Sequence, residues 1–426
     1  MTGRLVVFDL DGTLHHTEMA LGPAIRAAMA DMGHPPASAG KINPLYGEPM
    51  ERFCSELLGS HDPGDCARFR EGVRRHQELT VPSCGELYPG TSEMLREVTG
   101  MGFTAAVCSN SGMHYIDLVL DSLGIGDMIP LRRGIEGDGS KAGRVSELAT
   151  AAGSDLTLVA GDRYHDISAA AENGFPGIWC SYGYGSPGEG SDAAFVADSP
   201  GAIASVAARS LAALRVEALL SRVTGPCPCV GISGRDASGK TSFTDFLSRF
   251  LRARGREVLV VHLDDFHNPL ETRRRGPDEV TAYMDNAFDT GRLCREVLEP
   301  ARVTGRLSTS LDVLDLDSDR FDRSVTYAAG PGTVLLVEGV LLFRDPVDGY
   351  LDVRVFLDVP VEVILGRSEE RDGPGSAGRC IAKYIPVHER FEAEYDPVGR
   401  SDLVIDNSDP DRPLMKDPTR GSGRPL

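Results

Sequence analysis

Seven short runs rich in Val, Ile and Leu recur along the chain: RLVVFDL, TAAVCSN, LTLVAGD, CVGISG, EVLVVHLDD, TVLLVEG and VRVFLDV. Each is too short for a helix and too uniformly apolar for a strand with one wet face, so each reads as a strand buried on both sides. Longer stretches with helical spacing separate them. Buried strands alternating with helices imply parallel sheets with helices on both faces. The 426 residues exceed one ordinary core, so the expected fold class is α/β with two doubly wound parallel sheets.

Residues 201–223, GAIASVAARSLAALRVEALLSRV, carry helical spacing and no strand signal, and TGPCPC then interrupts them with Gly and Pro. The expected domains are therefore 1–211 and 212–407. Residues 408–426, rich in Pro, Gly and charge, read as a disordered tail. Lys and Arg total 44 against 63 Asp and Glu, a formal charge of −19. That field repels nucleic acid and anionic membrane, yet a local nest of N–H groups and a lysine still binds a small phosphate. No run reaches the ~18 apolar residues of a membrane span, and Asp9 and Asp11 break the apolar segment at the start. These features point to a cytoplasmic chain. Nine cysteines, an odd number without zinc spacing, read as reduced structural thiols.

The first strand closes in Asp9-Leu10-Asp11-Gly12-Thr13. Two carboxylates one residue apart can divide labour, one as nucleophile and one as general acid/base, with a cation offsetting their repulsion. Ser109 and Asn110 follow the second run, Lys141 lies in GDGSKAGRV, and Asp162 and Asp166 follow LTLVAG. Hydroxyl, ammonium and carboxylates at successive strand ends suit metal-assisted phosphoryl transfer.

These four segments, in this order over about residues 1–205, resemble the haloacid dehalogenase superfamily, in its phosphoglycolate phosphatase-like branch. The resemblance implies that Asp9 forms an aspartyl phosphate and Asp11 acts as acid and base. It further implies that Ser109 holds the phosphoryl group, Lys141 neutralises it, and Mg2+ is bound by Asp9, the Asp11 carbonyl and Asp162, supported by Asp166. About residues 15–85, with helical patterns such as GPAIRAAMADMG and PMERFCSELLG, would be a helical cap that selects the leaving group. His15 and His16 read as solvent-facing imidazoles at a loop-to-helix junction. Ala142 follows Lys141 where many relatives have Pro.

In the second half, Gly234–Thr241, GRDASGKT, fits G-x-x-x-x-G-K-[ST] between a strand and a helix. Glycines let N–H groups converge on phosphates, Lys240 reaches the outer phosphates, and Thr241 presents a hydroxyl to Mg2+. The nucleotide-binding set is Gly234, Ala237, Ser238, Gly239, Lys240, Thr241 and Ser242. Asp264, Asp265 and Glu338 end later strands, where carboxylates abstract a hydroxyl proton and organise the metal. Arg367 and Arg371 lie one helical turn apart and suit a phosphate clamp. A solvated charged face is the rival reading.

With KYIPVHERFEAEYDP and SDLVIDN, this set resembles the uridine kinase and phosphoribulokinase family over roughly 212–407. The resemblance implies ATP as donor, Asp264 as base and Glu338 as the metal's assistant. His267 stands where uridine kinases commonly have Tyr, and Asp236 where Thr is usual. Tyr283 and Phe288, in TAYMDNAFD, are the expected acceptor contacts. Arg273, Arg274 and Arg275 read equally as acceptor ligands or a solvated loop. The expectation is a bifunctional enzyme: a Mg2+ phosphatase of a small phosphomonoester joined to an ATP-dependent kinase of a small hydroxyl acceptor. Two alternatives stay open: a kinase with a regulatory phosphate-binding N-terminal half, and a P-loop nucleotide sensor fused to a phosphatase.

Overall fold

A computed structural model describes residues 3–135 and 139–416. The chain divides into two compact units, Met1–Ala208 and Arg209–Leu426. In the first, strands β1 (Gly3–Phe8), β2 (Thr104–Cys108), β3 (Leu131–Arg133), β4 (Ser154–Gly161), β5 (Gly177–Cys180) and β6 (Phe195–Ala197) form one sheet in the order β3-β2-β1-β4-β5-β6. Every pairing is parallel. The order reverses between β1 and β4, and at such a switch point the following loops part and leave a crevice at the carboxyl edge. Register then decides what meets there. Phe8 pairs with Val107 on one side and Ala160 on the other, so Asp9, Ser109 and Asp162 all emerge within a residue or two of the same edge.

The stretch expected as a cap folds mainly into helices Thr17–Asp31, Met50–Leu58 and Pro63–Cys84. The first buries Ala20, Leu21, Ala24, Ile25 and Ala28 on a helical period and packs against the third. Asp62 caps the third, accepting from the Gly64 and Asp65 N–H groups at 2.8 and 3.1 Å.

The second unit contains β7 (Cys229–Gly234), β8 (Val258–His262), a hairpin of β9 (Leu307–Asp315) and β10 (Arg320–Ala329), then β11 (Val334–Glu338), β12 (Val353–Asp358), β13 (Leu403–Asp406) and β14 (Leu414–Lys416). Its six-stranded sheet runs β14-β13-β12-β7-β11-β8, parallel except at β14. β11 is buried throughout, which explains its uninterrupted apolar sequence. Its last residue, Glu338, pairs with Ile232 and His262, which brings the ends of β11 and β8 level and lets β7 run two residues further.

Part of the expected tail is structured. β14 pairs antiparallel with β13, and the Lys416 ammonium lies 2.9 Å from Asp358 and 3.1 Å from Asp406. The charges that suggested disorder here complete a sheet edge. The remainder of that tail, 417–426, lies outside the described residues. All nine cysteines are free, and Cys227 and Cys229 are both buried. Among the described residues no helix is long and apolar enough to cross a membrane.

Leu336 is fully buried in the strand that carries Glu338. Leu336→Ala is expected to destabilise the second unit by about 2–5 kcal/mol, read as a lower denaturant midpoint in unfolding followed by far-ultraviolet circular dichroism.

Candidate functional site

At the edge of the first sheet the Lys141 ammonium lies 2.7 Å from Asp9 and 2.6 Å from Asp166. Lys141 is the first residue of helix Lys141–Ala151, whose preceding Ser140 caps it by accepting from the Gly143 N–H. Asp166 is held in turn by the Arg163 N–H at 3.1 Å, in the first turn of helix Tyr164–Glu172. Carboxylate oxygens of Asp9, Asp162 and Asp166 all come within 4.8 Å of one another, and all three residues are buried. Gly12 takes φ +78°, and a side chain there would meet the Asp162 carboxylate at 2.5 Å, so glycine is required twice over.

This crowding sets the protonation states. Burial pushes the Asp9 carboxyl well up, Lys141 opposes that, and Asp166, Asp162 and Asp11 add to it. Asp162 is pushed up to about 7 by burial and then by Asp166, against the Tyr184 N–H that it accepts at 2.7 Å. Lys141 is buried, which disfavours its charge, but Asp166 and Asp9 hold it protonated well above the ordinary range. A site with three hard oxygen donors and surplus negative charge fits a small divalent cation such as Mg2+.

Asp11 is set apart. Its carboxylate accepts from Tyr115 at 2.9 Å, Ser111 at 3.0 Å and Thr17 at 3.1 Å, with the His15 Nε2 at 3.2 Å. Burial alone would raise its pKa, but His15, Tyr115 and Ser111 outweigh that and bring it below the usual carboxylate value. His15 is wholly buried, contrary to its reading as solvent-facing, because its ring is taken up by Asp11, Thr17 and Tyr115. His16 is the partly exposed one of the pair, 3.3 Å from Glu18. Ser109 is buried, its hydroxyl accepting from the Ser111 N–H at 3.1 Å.

The helical stretch is clasped to the strand edge by Asn110 and by residues the motifs did not single out. Arg163 donates to Glu48 at 2.7 Å, to Glu189 at 3.0 Å and to the Tyr46 carbonyl. Asn110 donates to the Gly47 carbonyl at 3.2 Å. Tyr184 donates to Glu18, and Tyr46 and Tyr88 stack near Tyr184 and Tyr182.

In the second unit the loop after β7 turns through left-handed backbone at Ala237 (φ +56°) and Gly239 (φ +86°). Such conformations turn successive N–H groups into an anion nest, and at Ala237 they cost roughly 1–2 kcal/mol. Asn407 braces the loop by donating to the Ser238 carbonyl at 2.7 Å, and would collide at 2.6 Å with a side chain on Gly239. Gly234 is equally tight, because a side chain there would meet Ser238 and the Leu357 carbonyl. Lys240 is buried, donates to the Arg235 carbonyl at 2.8 Å, and is shifted down by burial, against the pull of Asp236, Glu338 and Asp264.

Thr241 donates to Glu338 at 3.2 Å, and His262 shares the same carboxylate oxygen at 2.7 Å. Asp264 stands just beyond β8, raised by burial, with His267 opposing and Glu338 adding to the shift. The two helix arginines have different surroundings. Arg367 is taken up by the Asn407, Ser408 and Ala237 carbonyls at 2.8, 3.0 and 3.5 Å, so it secures the loop from behind. Arg371 is about half exposed and pairs with Asp236 and Asp372. Ser242 is exposed. Tyr283 packs edge-on to Phe288 and Tyr384, and His267 packs on Phe288. Arg273 pairs with Asp319 at 3.3 Å.

Residues 6–179 match the haloacid dehalogenase-like hydrolase family, and residues 229–397 match the phosphoribulokinase / uridine kinase family. The chain joins a haloacid dehalogenase-like domain to a phosphoribulokinase/uridine kinase-family domain. Uridine kinase-like protein 4 of Arabidopsis thaliana is 30% identical over 166 residues, 38% of this chain and 33% of that protein. The phosphoglycolate phosphatase of Cereibacter sphaeroides is 26% identical over 192 residues, 42% of this chain and 85% of that protein. The chain thus spans about a third of the plant relative's length. Among solved structures, a haloacid dehalogenase-like hydrolase from Streptococcus pneumoniae aligns with TM-score 0.42 at 17% identity, covering 46% of this chain and 95% of that one. A structure described as a possible uridine kinase from Bacillus stearothermophilus aligns with TM-score 0.37 at 22% identity, covering 46% and 96%.

Asp162 has a folded pKa near 7 against an ordinary 3.8. The folded chain therefore holds a proton that the unfolded chain releases, and this group's contribution to stability falls as pH rises from about 4 to 7. Mg2+ is expected to reverse that loss, raising the thermal midpoint more at about pH 7.5 than at about pH 5.5. Differential scanning fluorimetry checks this: the pH-dependent part of the Mg2+ shift is smaller in Asp162→Asn, and an equal shift at both pH values in the unaltered chain would contradict it.

Proposed function

We propose that the chain is a bifunctional phosphoryl-transfer enzyme, hydrolysing a small phosphomonoester at the first sheet and using ATP to phosphorylate a small hydroxyl compound at the second. The observation that carries the reading is that each sheet edge holds one buried lysine, in contact with Asp9 and Asp166 in one case and set in a P-loop in the other.

In the first site Asp9 attacks the phosphorus atom, the phosphorus–oxygen bond to the leaving alcohol breaks, and that oxygen takes its proton from Asp11. An arriving phosphate dianion raises the proton affinity of Asp11, which its own donors otherwise hold low. Water then attacks the aspartyl phosphate, loses its proton to ionised Asp11, and releases inorganic phosphate with Asp9 restored. Ser109 and Lys141 bind the transferring group, and Asp9, Asp162 and Asp166, with the Asp11 carbonyl, would hold Mg2+. That ion supplies charge neutralisation for phosphoryl oxygens. The helical stretch 15–85 acts as the cap, and the Arg163 clasp to Glu48 keeps it closed over the site.

In the second site the loop Gly234–Thr241 and Lys240 bind the ATP phosphates, and Thr241 and Glu338 would hold Mg2+. Asp264 takes the proton of the acceptor hydroxyl, a role its raised pKa favours. The acceptor is a nucleoside, sugar or similar small alcohol, seated near Tyr283, Phe288 and His267. Fusing the two activities suits consecutive steps in which phosphate is removed from one position and installed at another.

Asp9→Asn is expected to lower phosphate release from a panel of monophosphates by about a thousandfold or more while leaving acceptor-stimulated ADP formation intact. Lys240→Ala is expected to do the reverse, with a loss of about a hundredfold or more in ADP formation. Coupled phosphate and ADP assays on both variants check this, and phosphate release that survives Asp9→Asn would contradict it.

A further inference from the structure

Asp236 puts a negative charge inside a loop whose backbone is shaped to attract anions. Its carboxylate does not point idly to solvent: Asp236 Oδ1 and Oδ2 accept from the two terminal nitrogens of Arg371 at 3.3 and 3.1 Å. It is also the leading charge that favours protonated Lys240 against burial. Asp236 thus bonds one cation beside the loop, Arg371, and acts at longer range on another, Lys240.

The other arginines around the loop are committed elsewhere. Arg235 forms a two-oxygen contact with Glu392, both at 2.8 Å, and Arg367 is held by three backbone carbonyls. Among the described residues Arg371 bonds carboxylates only, Asp236 and, on the same helix, Asp372 at 2.8 and 2.9 Å. It is also the exposed one, at 53%. A guanidinium grips a carboxylate and a phosphate through the same paired acceptor edge. Partly exposed ion pairs are weak, whereas a polyphosphate brings more charge to the same fork.

We propose that Asp236 is a built-in stand-in for a nucleotide phosphate: it holds Arg371, and with it helix Val361–Asp372, against the loop until a phosphate oxygen takes its place. Arg371 keeps Asp372 and exchanges Asp236 for the nucleotide. Asp236 therefore sets nucleotide affinity by competition for Arg371, beyond simple repulsion of a polyanion. This rests on the reading of Gly234–Thr241 as a nucleotide site.

The test is calorimetric titration of the full chain with the non-hydrolysable ATP analogue AMP-PNP and Mg2+, in wild type, D236N, R371A and the double variant. Competition for Arg371 predicts that D236N tightens binding about threefold or more in the wild-type background and changes it little in the R371A background. Equal tightening in both backgrounds would mean repulsion alone and overturn the proposal, as would unchanged or weaker binding in D236N. If wild type and K240A alike fail to bind AMP-PNP, the nucleotide-site reading falls and the proposal with it. Wild-type binding abolished by K240A but indifferent to D236N overturns the proposal alone.

Discussion

A parallel sheet of buried strands can present polar groups only at its edges, and in both units of this chain the carboxyl edge collects more negative charge than a dry setting tolerates. One buried lysine at each edge makes that possible. Lys141 is gripped by Asp9 and Asp166 at 2.7 and 2.6 Å and is held charged. Lys240 has no carboxylate so close; it bonds a carbonyl, and burial shifts it toward neutrality. The contrast has a chemical consequence. The first lysine is matched by carboxylates in direct contact and stabilises a charge-dense site that fits a cation, while the second has Asp236, Glu338 and Asp264 acting on it without such contact.

The strand register turns this electrostatic pattern into geometry. Because Phe8 pairs with both Val107 and Ala160, residues far apart in the chain reach one crevice with no long loop to order. Glu338 plays the matching part in the second sheet, where Ile232 and His262 flank it and Thr241 and His262 converge on one of its oxygens. Chemistry at a sheet edge is positioned by rigid elements.

Much of this was legible in the residues alone. Apolar runs bounded by acidic turns announced the buried parallel strands, because a strand covered on both faces cannot alternate. Asp9, Lys141, Asp162 and Asp166 come together as their positions after successive strands suggested. What escaped was set by tertiary contact. Nothing in His15-His16 says which imidazole turns inward, since that depends on contacts with Asp11, Thr17 and Tyr115, the last a hundred residues away. Arg163 drew no notice in the sequence, because its partners, the Tyr46 carbonyl and Glu48, lie more than a hundred residues away. His262 carried a weak signal, as the last residue of a strand beside a carboxylate-ended one. Residues 408–416 misled because Pro and charge mark sheet edges as well as disorder.

The account's central claim is that the charge-crowded edge of the first sheet stores a phosphoryl group on Asp9. The most direct measurement is to quench the intact enzyme during turnover of a phosphomonoester, reduce acyl phosphates with borohydride, and map the product by peptide mass spectrometry. The account predicts reduction of Asp9 to homoserine, absent without substrate. Turnover with Asp9 unmodified, or with the label on another residue, would contradict it.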